Sequence, residues 1–158
     1  MQRNVLVMLP SAMIGGAERV AFNLVTALLT QGHKVTVYTM TRGPGPLWPT
    51  LKDRPGFCHL ASRAHSEKLG VLDFLARSAD LRARGPFDLL YTSHVHVNAL
   101  ASLALRLRII RAERFVSRES TRIFDRFHGW RSWIYRVAYG FYGRQDLLLF
   151  QTQEMRFA

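Results

Sequence analysis

A short strand, a pair of glycines and a helix follow one another at the start of the chain, and this order constrains the fold more than any other feature. Residues 5–9 form an apolar run, and Gly15 and Gly16 follow it after a short interval. Apolar residues then recur three or four positions apart, which is the spacing of one buried helix face. The members of that predicted face are Val20, Leu24, Ala27 and Leu28.

The start of such a helix is suited to an anion. Its first backbone N–H groups have no partner within the helix, and their dipoles add to a partial positive charge. Gly15 and Gly16 would let a ligand approach that backbone closely, so a phosphate site and a simple chain turn are both open interpretations. The G-x-G-x-x-G fingerprint of dinucleotide-binding proteins is absent from the chain.

The rest of the chain alternates between strand and helix patterns. We predict strands at residues 34–40, 57–60, 87–92, 114–117 and 147–151, and helices at residues 66–84, 98–110 and 130–142. In the helix at 66–84, the predicted buried stripe consists of Leu69, Leu72, Leu75, Ala76 and Leu81. This alternation predicts an α/β fold, a Rossmann-like and mostly parallel sheet with helices on both faces.

The composition indicates a globular protein with anionic partners. The chain has 158 residues and a formal net charge of +11, which favours nucleic acid, acidic lipid or phosphorylated ligands. The single cysteine, Cys58, excludes an internal disulfide framework and favours a cytoplasmic location. No apolar run is long enough to cross a bilayer.

The opening strand, the sequence GGAE at residues 15–18 and the sequence GHKV at residues 32–35 resemble the amino-terminal half of family-four glycosyltransferases of the GT-B type. The resemblance implies that residues 1–158 are an acceptor-side domain and that the carboxy-terminal donor-binding domain is missing. It implies a full enzyme that transfers a sugar, with retention, from a nucleotide-sugar to a saccharide or lipid-linked acceptor in envelope polysaccharide or glycolipid synthesis. The nucleotide-sugar is then a co-substrate, with no further cofactor and no metal, and the piece alone is expected to be inactive.

Two polar segments follow predicted strands and extend this resemblance. The segment at residues 92–98, TSHVHVN, is similar to the family's histidine-rich acceptor segment, which implies a catalytic role for His94 or His96 and acceptor binding by Asn98. A histidine titrates near neutral pH and can accept a proton or bond a sugar hydroxyl. The alternatives are structural histidines and an Asn98 that caps the next helix. The H-x-H spacing also suits a metal, but we find no third ligand.

The second segment is Arg118 and Glu119, which resembles the family's R-E-S-T sequence. Together with Gly15 and Gly16, these residues are expected to bind donor phosphate or acceptor, because a guanidinium group matches phosphate geometry. An ion pair of Glu119 with Arg118 or Arg122 is the equal alternative.

Residues 124–144 mix aromatic and basic side chains. Trp130, Arg131, Trp133 and Arg136 are expected to face an anionic inner membrane, where indole rings lie at headgroup depth. The same mixture could stack on nucleic-acid bases or face the core. The alternative function is therefore a non-catalytic basic module that binds anionic membrane or nucleic acid. For the enzyme we expect no nucleic-acid partner, a location at the cytoplasmic face of the membrane, and self-association of the isolated piece through its open cleft.

Overall fold

The computed structural model describes residues 1–42, 45–119 and 130–150, with the backbone alone at residues 131, 132, 134, 135 and 139. Within these ranges strands and helices alternate along most of the chain. The strands are β1 (Asn4–Ser11), β2 (Lys34–Thr41), β3 (Phe57–Ala61), β4 (Phe87–Ser93), β5 (Ala112–Glu119) and β6 (Leu147–Phe150). The helices are α1 (Gly16–Thr30), α2 (Glu67–Ala76), α3 (Ser78–Arg84), α4 (Val95–Arg106) and α5 (Trp130–Gly140).

The strands form one sheet in the order β3-β2-β1-β4-β5-β6, and every neighbouring pair is parallel. The chain winds outward in one direction from β1 to β3 and in the other from β4 to β6. The order therefore reverses between β1 and β4, the place where ligands collect at the carboxyl ends of strands in folds of this type. The predicted Rossmann-like α/β sheet is confirmed.

Two hydrophobic cores lie on the two faces of the sheet. Along β1 the side chains alternate: Val7 packs on the side of α1, and Met8 packs on the side of α2 and α4. All six interior positions of β1 and of β2 are buried, as expected for central strands that are covered on both faces. These two cores hold the carboxyl ends of β1 and β4 in fixed positions.

The predicted helix at residues 66–84 is two helices, α2 and α3, separated at Arg77. The predicted stripe is also wrong for α2, because Leu69, Leu72 and Leu75 are exposed at 52%, 62% and 45%. The face that meets the sheet contains Gly70 and Phe74 instead. Gly70 lies against the backbone of β2, where a larger residue would overlap the Met40 carbonyl. The close backbone contact that Gly70 allows, rather than the spacing of the leucines, therefore determines which face of α2 meets the sheet.

The predicted face of α1 is displaced by one position. Val20 is exposed and Ala27 lies at the surface, whereas Val25 and Leu29 are buried along with Ala21. Alanine in the first turns and the larger Val25 and Leu29 further along together form the contact of α1 with the sheet. The remaining boundaries differ from prediction by at most four residues, and Gln151 lies outside the described residues.

Candidate functional site

The carboxyl ends of β1, β4 and β5 lie side by side and bring most of the predicted site residues to one edge of the sheet, here called the carboxyl edge. In the β4–β5 register, Ser93 lies opposite Arg118, and the backbone N–H of His94 donates to the Arg118 carbonyl at 3.3 Å. The loop from β1 to α1 leaves the neighbouring strand at the same edge. The polar segments that follow these strands therefore lie at a shared edge of the sheet.

The glycine loop starts α1 directly. Gly15 is the N-cap in an extended conformation, with φ −127° and ψ 178°, and Gly16 is the first helical residue. A side chain at Gly15 would overlap the Glu18 carboxylate, whereas a Cβ at Gly16 would meet no atom within 4 Å. The buried Glu18 carboxylate thus lies over Gly15, where the helix dipole favours negative charge. The open approach to the backbone is at Gly16.

His94 and His96 flank the start of α4. His94 has a left-handed backbone, with φ 77°, and α4 begins at the next residue. This conformation costs energy for a residue with a side chain, so the surrounding structure holds it in place. The two rings are 6.1 Å apart between centroids, and both residues are partly buried.

The environment of His96 favours its neutral form. Burial lowers the pKa of the His96 imidazole, and the neighbouring His94 lowers it further, while Glu67 acts in the opposite direction. Nε2 of His96 lies 3.5 Å from Oε1 of Glu67 at the start of α2. A neutral imidazole at this edge can accept a hydrogen bond or a proton from a hydroxyl group.

Asn98 is not the helix cap that was one of its predicted roles, because His94 occupies that position. The buried Asn98 amide instead joins β4 to β5. It donates from Nδ2 to the Arg118 carbonyl at 3.2 Å and to Oε1 of Glu119 at 2.9 Å, and its Oδ1 accepts from the Thr92 hydroxyl. Asn98 thus fixes the relative positions of the two strand ends.

Glu119 belongs to the same buried network. It is 2% exposed, and its Oε1 also accepts from the Tyr142 hydroxyl. Burial raises the pKa of the Glu119 carboxyl, and the hydrogen bonds from Tyr142 and Asn98 partly offset that rise. Tyr142 is a member of the site that the sequence did not indicate, since it lies in the aromatic stretch predicted to face a membrane or the core.

Arg118 and Glu119 point to opposite faces of the sheet. Arg118 lies on the α1 face beside Tyr91, where it lowers the Tyr91 pKa against the larger effect of burial. Glu119 lies on the α4 face with Asn98. The ion pairs found in the described part of the chain do not include one between these two residues, so the predicted pairing of Glu119 with Arg118 is wrong, and its pairing with Arg122 stays a prediction. Arg122 lies outside the described residues.

The exposed side of α5 carries three of the four residues predicted to face a membrane. Trp130 and Trp133 are exposed at 70% and 65%, and Arg136 is exposed as well. The side chain of Arg131 is outside the described residues. The helix packs against α4. No helix in the described ranges combines the length and apolar character needed to cross a bilayer, and no group of three potential metal ligands occurs in them.

Comparison with known proteins identifies one family and one fold. The sequence profile described as Glycosyltransferase Family 4 matches residues 14–156. The crystal structure of Acinetobacter baumannii MurG superimposes with a TM-score of 0.56 and 16% sequence identity over 94% of this chain. That alignment covers 41% of MurG, so the chain spans about two fifths of the solved structure it resembles. The comparison with curated proteins found no match.

Proposed function

Because this chain belongs to glycosyltransferase family 4, we propose that it is the acceptor-side domain of an enzyme that transfers a sugar from a nucleotide-sugar to a saccharide acceptor. The observation that carries the proposal is the meeting of the Gly16 loop, His96 and Arg118 segments at the reversal of strand order. In parallel sheets this position is the usual ligand site. A likeness in fold alone would not assign the activity, so the argument rests on these residues.

We assign His96 the task of orienting the acceptor hydroxyl and His94 a supporting role beside it. Its lowered pKa keeps the His96 imidazole neutral near pH 7, with a ring nitrogen able to accept a hydrogen bond from that hydroxyl. Asn98 and Glu119 act through the hydrogen bonds that join β4 to β5. They hold the histidine segment in place at the carboxyl edge.

The first turn of α1 is the proposed anion contact. The backbone N–H groups around Gly15 and Gly16 lie at the positive end of the helix dipole, and the approach at Gly16 is open. Arg118, nearby on the same face of the sheet as α1, provides a cationic group for donor phosphate or a phosphorylated acceptor. Transfer with retention, without a metal or a cofactor other than the donor, is part of this proposal.

We further propose that a second domain closes over the carboxyl edge and provides most of the donor contacts. The share of MurG that the chain matches is in keeping with a two-domain enzyme. The exposed tryptophans of α5 and the net charge of +11 support a lipid-linked acceptor, reached at the inner face of the cytoplasmic membrane. Such an acceptor fits a role in envelope polysaccharide or glycolipid synthesis.

A transfer assay tests the proposal. The protein is expressed with a family-four donor-binding domain after this chain, and radiolabelled nucleotide-sugars are supplied with lipid-linked and soluble saccharides. We expect sugar transfer by the two-domain protein and none by the 158-residue chain alone. Transfer by the chain alone would contradict the need for a second domain, and failure with every donor and acceptor pair would contradict the enzyme assignment.

A further inference from the structure

The opposite edge of the sheet, where the parallel strands begin, is strongly basic and is not used by the proposed reaction. Three cavities of about 600, 480 and 380 Å³ lie along this amino edge. Their basic lining residues are Arg3, Lys34, Arg84, Arg108, Arg111, Arg114 and Arg144, and their acidic lining residues are Asp88, Glu113 and Asp146. The excess of positive charge predicts affinity for anions at this edge.

Two of the three carboxylates are already engaged within the fold. Asp88 lies 3.0 Å from the guanidinium of Arg3 and also accepts the backbone N–H of Asn4. Asp146 accepts the backbone N–H of Phe115 at 2.7 Å and lies 3.6 Å from Arg114. Glu113 is therefore the one lining carboxylate for which the described part of the chain provides no ion pair.

The cavity of about 600 Å³ has three arginines in its lining, together with the carboxylates of Glu113 and Asp146. Arg108, Arg111 and Arg144 line it, and no carboxylate of the described ranges lies within 4.0 Å of their guanidinium groups. Ile110 and Phe115, both buried, form its apolar lining. A volume of about 600 Å³ is in the range of small-molecule sites.

The adjacent end of α4 does not repel an anion as a bare helix end would. Its last carbonyls carry partial negative charge, but those of Leu103, Ala104 and Leu105 accept backbone N–H groups of residues just past the helix. Arg82 donates from Nη2 to the Arg108 carbonyl at 3.0 Å, two residues beyond the end of α4. Arg108 has a left-handed backbone, with φ 55°, and its side chain lines the cavity.

We propose that this cavity is a second anion site that binds a multiply charged phosphate group through Arg108, Arg111 and Arg144. Guanidinium groups bind phosphate oxygens through paired hydrogen bonds, and three of them match a diphosphate or a phosphorylated headgroup. The site is separate from the carboxyl edge, since strands of seven or eight residues at about 3.3 Å per residue put roughly 25 Å between the two edges. The proposal does not depend on sugar transfer.

Titration of the 158-residue chain with inorganic pyrophosphate, followed by calorimetry, tests the site. A second arm measures binding to vesicles of phosphatidylglycerol, with phosphatidylcholine vesicles as the uncharged reference. The test variant is the triple substitution Arg108→Gln, Arg111→Gln, Arg144→Gln. The control is the triple substitution Arg42→Gln, Arg63→Gln, Lys68→Gln, which removes the same charge from exposed residues that follow β2 and β3 at the carboxyl edge.

We expect pyrophosphate affinity to fall at least tenfold in the test variant and less than threefold in the control. Pyrophosphate binding without vesicle binding identifies a soluble ligand, and binding to the anionic vesicles alone identifies a lipid headgroup. Arg111→Gln alone perturbs the fold less than the triple substitution does. We expect it to lower the affinity for pyrophosphate about threefold. Equal losses in both triple variants, or no binding in either arm, would overturn the proposal. A third arm titrates the chain with single-stranded RNA, and RNA binding without pyrophosphate binding would replace the proposal.

Discussion

Glu119 is a carboxyl group placed where its charge is costly. It lies at the buried end of β5, and Asn98 and Tyr142 both donate to the same oxygen, Oε1. The other oxygen, Oε2, is buried and has no hydrogen-bond partner in the described part of the chain. Burying an ionised carboxylate that is only partly hydrogen-bonded opposes folding.

This environment predicts a pH-dependent stability. The pKa of Glu119 is raised in the folded state. At pH values between the unfolded and the folded pKa, the folded chain therefore binds more protons than the unfolded chain. The free energy of unfolding therefore falls as the pH rises above about 4. Glu119→Gln keeps an acceptor oxygen for Asn98 and Tyr142 but cannot ionise. We expect the variant to gain stability relative to the parent as the pH rises from 4 to 8, measured by urea unfolding.

Glu113 provides the control for that measurement, because it lies on the same strand and is exposed. Glu113→Gln should give a stability difference from the parent that changes little over the same pH range. If Glu119→Gln is uniformly destabilising from pH 4 to 8, the buried carboxylate does not carry the cost assigned to it here.

The sequence predicts which residues lie at the strand ends more accurately than it predicts the contacts that those residues make. His94, His96, Asn98, Arg118 and Glu119 all lie at the carboxyl edge, because the end of a strand is visible in the apolar pattern that precedes it. The strand register determines which face of the sheet Arg118 and Glu119 each point to. Tyr142 reaches Glu119 because α5, which precedes it, packs on α4. These are tertiary contacts, which a local sequence pattern does not contain.

At the scale of elements, the contact of α2 with β2 depends on a single glycine. A Cβ at Gly70 would overlap the backbone carbonyl of Met40, which cannot rotate away as a side chain can. Gly70→Ala must therefore push α2 outward and disturb the contact of Phe74 with the core. We expect a loss of about 1–3 kcal/mol in the free energy of unfolding, measured by urea denaturation.

A glycine in a different helix supplies the comparison. Gly140 at the end of α5 would place a Cβ at least 4 Å from other atoms of the described residues, so Gly140→Ala should be neutral or should stabilise by up to about 1 kcal/mol. Equal effects of the two substitutions would show that close packing at Gly70 is not what positions α2.

The exposed face of α5 is predicted to contact a membrane. Replacing Trp130 and Trp133 by alanine removes two large exposed rings, and we expect the binding of the chain to phosphatidylglycerol vesicles to weaken about tenfold. Leu69→Ala with Leu72→Ala is the control, because these side chains are also apolar and are exposed on α2. Vesicle co-sedimentation measures both. A larger loss in the control would move the membrane contact to α2.

At the scale of the whole molecule, the sheet order follows from the sequence more reliably than the helix faces do. Parallel strands joined by right-handed crossovers have few possible arrangements, so alternating strands and helices predict most of the topology. The error in α2 arises because Gly70 forms the close contact with the sheet, and hydrophobic periodicity gives large side chains more weight. In α1 the buried face, which includes Ala21 and Val25, is one position away from the predicted face.

The two edges of the molecule are predicted to have different functions. We propose sugar transfer at the carboxyl edge, with the strand exits and His96, and a second, separate anion site at the amino edge, with its arginines. This separation is the central claim of the account, and a histidine at each edge makes it testable. His33 lies in the turn before β2 at the amino edge, where its Nδ1 accepts the backbone N–H of Arg3.

The most direct test is the kcat/KM for sugar transfer of His96→Ala and His33→Ala in the protein that also carries a donor-binding domain. We predict that His96→Ala lowers kcat/KM about 100-fold or more, as expected for loss of a group that bonds the reacting hydroxyl, and that His33→Ala lowers it less than about threefold. A His96→Ala enzyme as active as the parent, or equal losses in the two variants, would contradict the assignment of sugar transfer to the carboxyl edge.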